Sequence, residues 1–333
     1  MPYLWKYLAN DYNQASTVDI QSEWGAQIHM QHQDLVKMTN SLSRHQTESR
    51  DRVLAEIHKL GLDYHLNELE TQGYTTLKSE LDENLINRAK EAILARVKSM
   101  TGKDIDPDTA TSDDYEGMTY LPYLIYDDDV FVEITMARRP LALMTYLLGE
   151  SCLLSSLGCH FKGPGESGMV PLHSDNGNGM PAPYPAYSQV ANINYALTPY
   201  SKEAGALALV PGSHIHARQP NPTEMMLAGE AENPAAVSMD LEPGDAVIWH
   251  GTTWHGSYPR KVPGIRVNLA VYFARQYVQT QEQHKGAIPE GFAARHHNDE
   301  RLMQLLGGKQ PYGWQSEGPD YALMGRNPRG LFD

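Results

Sequence analysis

The segment RVNLAVYFA (residues 266–274) constrains this chain more than any other. In an extended strand, successive side chains point to opposite faces. Val267, Leu269, Val271 and Phe273 then share one face, while Arg266, Asn268, Ala270 and Tyr272 share the other. The apolar face must pack against other structure. The opposite face opens with a guanidinium, so it must look at water or at a polar cavity.

Further β-type runs stand at QVANINYAL (189–197), GALALV (205–210) and DAVIWH (245–250), separated by Gly- and Pro-containing turn signals. Short strands in that pattern predict an all-β sandwich or barrel. Residues 1–115 read as a mostly helical N-terminal region. Val53, Leu54, Ile57 and Leu60 form one apolar stripe at helical spacing, and Leu81, Leu85, Ala89, Ala92, Ile93 and Val97 a clearer one. Ser79 with Asp82 reads as a capping box before the second helix. TGKDIDPDTATSDDYEG (101–117) reads as a loop. Residues 116–280 are expected to hold the β core. Residues 281–333 form a tail with one helix near Asp299–Leu306, stopped by Gly307-Gly308, and are otherwise irregular. No internal repeat is visible.

With 333 residues, 41% of them hydrophobic, the chain can bury a sizeable core. Its formal charge of −14 repels phosphate backbones and no Lys/Arg run offsets it, so nucleic acid is not an expected partner. Cys152 and Cys159 are too few for a disulfide framework and read as buried small hydrophobes, which favours a reducing, cytoplasmic setting. The start, MPYLWKYLANDYNQ, lacks a signal peptide's apolar stretch, GLFD at the end matches no address signal, and no 18-residue apolar run predicts a membrane span. Oligomeric state is not legible.

The chemistry centres on PLHSDNG (171–177). His173 and Asp175 are two apart, so in an extended segment both reach one metal. A lone pair of this kind is weak evidence. A second histidine has to come from elsewhere, and GDAVIWHGTTWHGS (244–257) offers His250 and His255. Two histidines and a carboxylate on one face of a metal leave the opposite positions open, as in non-haem iron(II) oxygenases. Arg266 adds a fixed cation that grips carboxylates bidentately. A dicarboxylate such as 2-oxoglutarate would chelate the metal at one end and pair with Arg266 at the other.

PLHSDNG, EAGALALVPGSH (203–214) and EPGDAVIWHGTTWHGS with Arg266 together resemble the phytanoyl-CoA dioxygenase family of iron(II)/2-oxoglutarate oxygenases. The segment QGYTTLKSELDENLINRAKEAI (72–93) resembles that family's N-terminal strand and helix, so the likeness spans most of residues 72–280. The first 70 residues exceed what the family typically needs. The resemblance implies a double-stranded β-helix, a cupin-like jelly-roll barrel wrapped by helices. It assigns His173, Asp175 and His255 as the ligands of Fe(II), leaving His250 as a strand histidine. It assigns Arg266, eleven positions after His255, to the far carboxylate of 2-oxoglutarate, with Ser257 beside it. Asn192 falls near a position that contacts 2-oxoglutarate, with Asn194 competing on the same face. Because Asp175 is present, the resemblance implies hydroxylation or a related oxidation (desaturation, ring formation) with O₂, not halogenation. The expected partner is a small organic molecule.

The loop NGNGMPAPYPAY (176–187) reads as a lid, with Tyr184 and Tyr187 placed to stack on substrate. His160 and His214 read as packing or turn residues, and His296 and His297 as exposed. Two other readings fit the same barrel. One is a cupin-type dioxygenase or isomerase that does not use 2-oxoglutarate, against which Arg266 argues. The other is a non-catalytic binding protein, against which the complete ligand set argues.

Overall fold

A computed structural model describes residues 17–21, 27–31, 49–111, 113–115, 120–164, 168–175, 179–308, 314–315 and 318–319. Both chain ends, parts of the 101–117 loop and the first residues of the proposed lid lie outside them. The N-terminal region is not helical throughout, since β1 (Thr17–Gln21) pairs antiparallel with β2 (Gln27–Gln31). Helices follow: α1 (residues 49–59) and α2 (Asp63–Gln72), then strand β3 (Tyr74–Leu77) and the long α3 (Glu83–Thr101). The predicted stripe on α3 is its packed face, with Ala89, Ile93 and Val97 buried. Its cap differs from expectation. Asp82 alone caps, accepting the Leu85 N–H at 2.8 Å. Ser79 stands at φ +50° in the preceding turn and donates its N–H to Asp245 at 2.9 Å, which precludes the reciprocal box.

After β4 (Tyr120–Leu121) come two helices that the sequence reading assigned to no element, α4 (Asp129–Thr135) and α5 (Arg138–Leu148). The remaining strands are β5 (Leu153–His160), β6 (Val170–His173), β7 (Val190–Ala196), β8 (Leu207–Leu209), β9 (Val237–Ser238), β10 (Ala246–His250), β11 (His255–Ser257) and β12 (Asn268–Ala274). Two sheets form a double-stranded β-helix. A six-stranded sheet runs β3-β10-β7-β12-β5-β4, and a four-stranded sheet runs β6-β11-β8-β9. In the tail, a helical turn, α6 (Phe292–Arg295), precedes α7 (Glu300–Leu305), which Asp299 caps and Gly307 follows at φ +70°. A two-residue strand pair, β13 (Trp314–Gln315) with β14 (Gly318–Pro319), lies beyond.

The large sheet is covered by helices on one face and lines the barrel interior with the other. Ile193, Tyr195, Leu269, Val271 and Phe273 pack with Ile93, Val97, Leu143 and Leu147 in one core. Alternation then forces Asn192 and Asn194 of β7, and Asn268, Ala270 and Tyr272 of β12, into the interior. The smaller sheet closes the barrel through Leu207 and Leu209, which pack on Val247 and Trp249 of β10, while Leu172, Ala208, Val210 and Trp254 cluster on its outer face. Among the described residues no helix is long and apolar enough to cross a membrane.

Candidate active site

His173 ends β6 and His255 opens β11, and the two are direct partners across that antiparallel pair. Their ring centroids are 4.3 Å apart. The register slips just beyond, between His255 and Ser257, a bulge that ends regular pairing at this point. Asp175 lies past the end of β6 rather than on it, so the pair converges by a turn and not by strand alternation. Its two carboxylate oxygens stand 3.7 Å from His173 Nε2 and 3.5 Å from His255 Nε2. One ligand atom from each of His173, Asp175 and His255 falls within 4.8 Å of the others.

The imidazoles are set up to coordinate. His173 Nδ1 meets the Pro171 carbonyl at 2.9 Å, and His255 Nδ1 meets the Thr253 carbonyl at 3.0 Å. A carbonyl only accepts, so each Nδ1 carries the proton and each Nε2 lone pair is free. Burial, partly opposed by Asp175, pushes His255 down to about 4, which keeps it neutral. Asn192 Nδ2 donates to Asp175 Oδ2 at 2.7 Å and so orients the carboxylate. Asn194 instead accepts from Tyr200 OH at 3.1 Å. The two nitrogens and one oxygen suit a divalent transition ion, with the other side of the cluster facing the cavity.

That cavity measures about 710 Å³ and also holds Arg266, Ser257 and Lys162. Arg266 is buried, donates Nη1 to the Gly205 carbonyl and lies over the Tyr200 ring at 5.0 Å. Its Nε is buried without any hydrogen-bond partner. Lys162 bridges to Arg266 across the sheet and donates Nζ to Ser257 Oγ at 2.6 Å. Among the described residues neither cation has a carboxylate partner. A buried guanidinium without a counter-charge is costly, and a lysine amine beside it marks a place built for an anion.

Sequence reasoning missed Lys162, a single lysine in FKG with no motif to announce it. It also missed the wall that continues from Lys162 along β5 and β4. Ser156 donates to Gln281 Oε1 at 2.7 Å, and the Tyr120 ring stacks on His160 at 4.6 Å. All four line the cavity, so His160 is a wall residue and not merely a packing residue.

The lid tyrosines are not among the cavity's lining residues. Tyr184 is buried, with its N–H on the Ala217 carbonyl, and Tyr187 is 46% exposed and lies 5.1 Å from the Arg275 guanidinium. His250 is buried away from the cluster, its Nδ1 engaged by Thr252 at 2.5 Å. His296 is not exposed as expected. It packs on Phe292 at 4.5 Å and pairs with Asp129 at 3.3 Å, whereas His297 is exposed. Cys152 and Cys159 are buried and free.

Residues 69–268 match the model of the family described as phytanoyl-CoA dioxygenase (PhyH). Dioxygenase af480 of Aspergillus fumigatus is 30% identical over 169 residues, which is 51% of this chain and 50% of that protein. Dioxygenase swnH1 of Metarhizium robertsii is 30% identical over 117 residues, 34% of each chain. The chain thus spans about a third to a half of the length of these curated relatives. Among solved structures, HygX from Streptomyces hygroscopicus with nickel and 2-oxoglutarate bound shares the fold, with TM-score 0.53 and 16% identity over 66% of this chain and 88% of that one. With the barrel, the His-Asp-His cluster and more than half of the sequence in agreement, the chain belongs to the phytanoyl-CoA dioxygenase family.

Proposed function

We propose that the protein is an iron(II)/2-oxoglutarate-dependent oxygenase that hydroxylates a C–H bond of a small, uncharged organic molecule. The observation that carries this reading is the sharing of one cavity by a His173/Asp175/His255 cluster and two buried basic side chains, Lys162 and Arg266. An acid that bridges the two would need a metal-chelating end and a carboxylate at the other, which describes 2-oxoglutarate.

His173, Asp175 and His255 would hold the iron, and Asn192 would keep Asp175 turned toward it. Arg266 and Ser257 would grip the far carboxylate. When bound, iron(II) with 2-oxoglutarate and O₂ supplies an oxidant for a C–H bond as 2-oxoglutarate becomes succinate and CO₂. The residues of the chain bind, orient and exclude water. Trp249, 5.0 Å from the His255 ring, shields the ligand side of the cavity.

The wall of Tyr120, Ser156, His160 and Gln281 offers neutral hydrogen-bonding groups. Asp175 is the one carboxylate among the described lining residues, and it belongs to the metal cluster. Among the described lining residues a substrate ammonium would find no free counter-charge, which favours an uncharged, oxygen-bearing substrate.

The test is succinate formation by protein loaded anaerobically with iron(II), then given 2-oxoglutarate and O₂, with His255→Ala and Arg266→Ala alongside. Slow uncoupled turnover in the wild type, lost in both variants, is the expected result. Iron binding without succinate under any substrate mixture would sink the reading and favour an oxygenase or isomerase that uses no 2-oxoglutarate.

A further inference from the structure

We propose that Lys162 is a second carboxylate-binding cation beside Arg266, and that the dicarboxylate binds together with one proton, which Lys162 Nζ takes up. The inference rests on the 2-oxoglutarate reading above and concerns a residue that the ligand motifs do not announce.

The geometry comes first. Lys162 and Arg266 exchange backbone hydrogen bonds, Lys162 N–H to the Arg266 carbonyl at 3.2 Å and the reverse at 2.9 Å. This pairing sets the two side chains next to each other on the cavity side of the barrel. The lysine stem is boxed in. A Cβ added at Gly205 would stand 2.9 Å from Lys162 Cδ, and one at Gly168 would stand 3.1 Å from Lys162 Cε. The side chain is accordingly buried, at 5% exposure. It spends one donor on Ser257 Oγ, which leaves two, and Arg266 Nε is free beside it.

Among the described residues, the charges around it give no relief. Arg266 faces it across the bridge, Arg260 packs against Gly205 on the same turn, and His160 lies two residues back on β5. Tyr200 and Cys159, near Arg266, are both held neutral by burial. A guanidinium does not give up its proton, so the lysine is the group that yields. Burial first, and Arg266 second, push it down to about 6. Above that pH the ligand-free pair carries one positive charge. A carboxylate arriving between the two restores the ammonium, and the proton comes from solvent. No covalent bond changes.

The experiment is anaerobic calorimetry of the iron(II)-loaded protein with 2-oxoglutarate as the probe, at pH 7.5 in PIPES and in Tris. The dependence of observed heat on buffer ionisation enthalpy counts the protons taken up. Wild type is expected to take up close to one proton per 2-oxoglutarate, falling toward none as the pH is lowered past about 6. Lys162→Met, near in size and uncharged, is expected to keep its iron, to lose the proton uptake, and to bind the acid about 10- to 100-fold more weakly, the range for a charge-assisted hydrogen bond. The pH series on wild type alone keeps the proposal open to refutation should the variant fail to fold. Tight binding without proton uptake in wild type, or an unchanged affinity in Lys162→Met, overturns the role of Lys162 and leaves the oxygenase reading standing. A wild-type protein that takes iron but binds no 2-oxoglutarate overturns both.

Discussion

His173 and His255 sit opposite each other across β6 and β11, and each is anchored in the same way, by Nδ1 on the carbonyl two residues earlier. This shared anchor makes the two rings equivalent donors before any metal arrives. Each is fixed in one tautomer by a backbone atom that mutation of a side chain does not remove. The carboxylate is held differently, by the side chain of Asn192. The cluster is thus two rigid nitrogens and one oxygen that depends on a single neighbour.

The dependence can be measured. Asn192→Ala should weaken metal binding by about 10- to 100-fold, the usual effect of losing a partner that orients a ligand. Asn194→Ala should change it little, because that carboxamide serves Tyr200 instead. Titration with Ni(II) or anaerobic Fe(II) distinguishes the two, and equal effects would show that Asp175 does not need Asn192.

The two histidines of the GDAVIWHGTTWHGS segment should separate as sharply. His255→Ala removes a proposed ligand and should leave the protein with little or no bound iron after reconstitution. His250→Ala should keep full iron content while losing stability, since His250 is a buried acceptor for Thr252. Iron analysis together with urea unfolding reads both, and loss of iron in His250→Ala would reverse the assignment.

Much of this site was legible in the sequence. Coordination demands close spacing, and His173 with Asp175 supplies it; strand alternation placed Arg266 and Asn268 on the cavity side before any fold was known. What stayed hidden depends on pairing between distant segments. Lys162 matters only because it bridges to Arg266, and Ser156 only because Gln281 comes back to meet it. Residues 129–135, DVFVEIT, are rich in β-branched side chains and give no helical signal; Asp128 caps them and burial of Val130, Phe131 and Ile134 holds the helix. Tyr184 and Tyr187 stand off the cavity lining for a related reason. Tyr and Pro content marks a loop but not the direction its rings face.

His250 also sets a pH dependence. Burial, reinforced by His214, pushes it down to about 3, below the ordinary value near 6.5. The unfolded chain therefore binds a proton that the folded chain refuses, and stability is present above about pH 6.5 and lost as pH falls below it, by about 1.4 kcal/mol per unit. His250→Asn has no such proton to bind. Wild type should lose stability relative to this variant steadily between pH 7 and pH 5 in urea unfolding. A difference that stays constant across that range would show that His250 is not the group responsible.

Gly158 tests how tightly the cavity floor is built. It sits in β5 opposite Ala270, and the Tyr120 side chain lies directly over it. A Cβ there would fall 2.4 Å from Tyr120 OH and 2.5 Å from the Leu121 carbonyl oxygen, closer than real Cβ contacts occur. The ring could move aside, but the carbonyl is backbone and is bound into the β4–β5 pair. Gly158→Ala should therefore cost on the order of 1–3 kcal/mol, as overpacked sites do. Removing the ring with Tyr120→Ala should recover only the part of that cost due to the phenol, because the clash with the carbonyl persists. In a double-mutant cycle, full recovery would mean that the ring alone fills this space, and no recovery would mean that it does not lie over Gly158 in solution. Partial recovery is the expected result, since strand β4 and its tyrosine form the floor together.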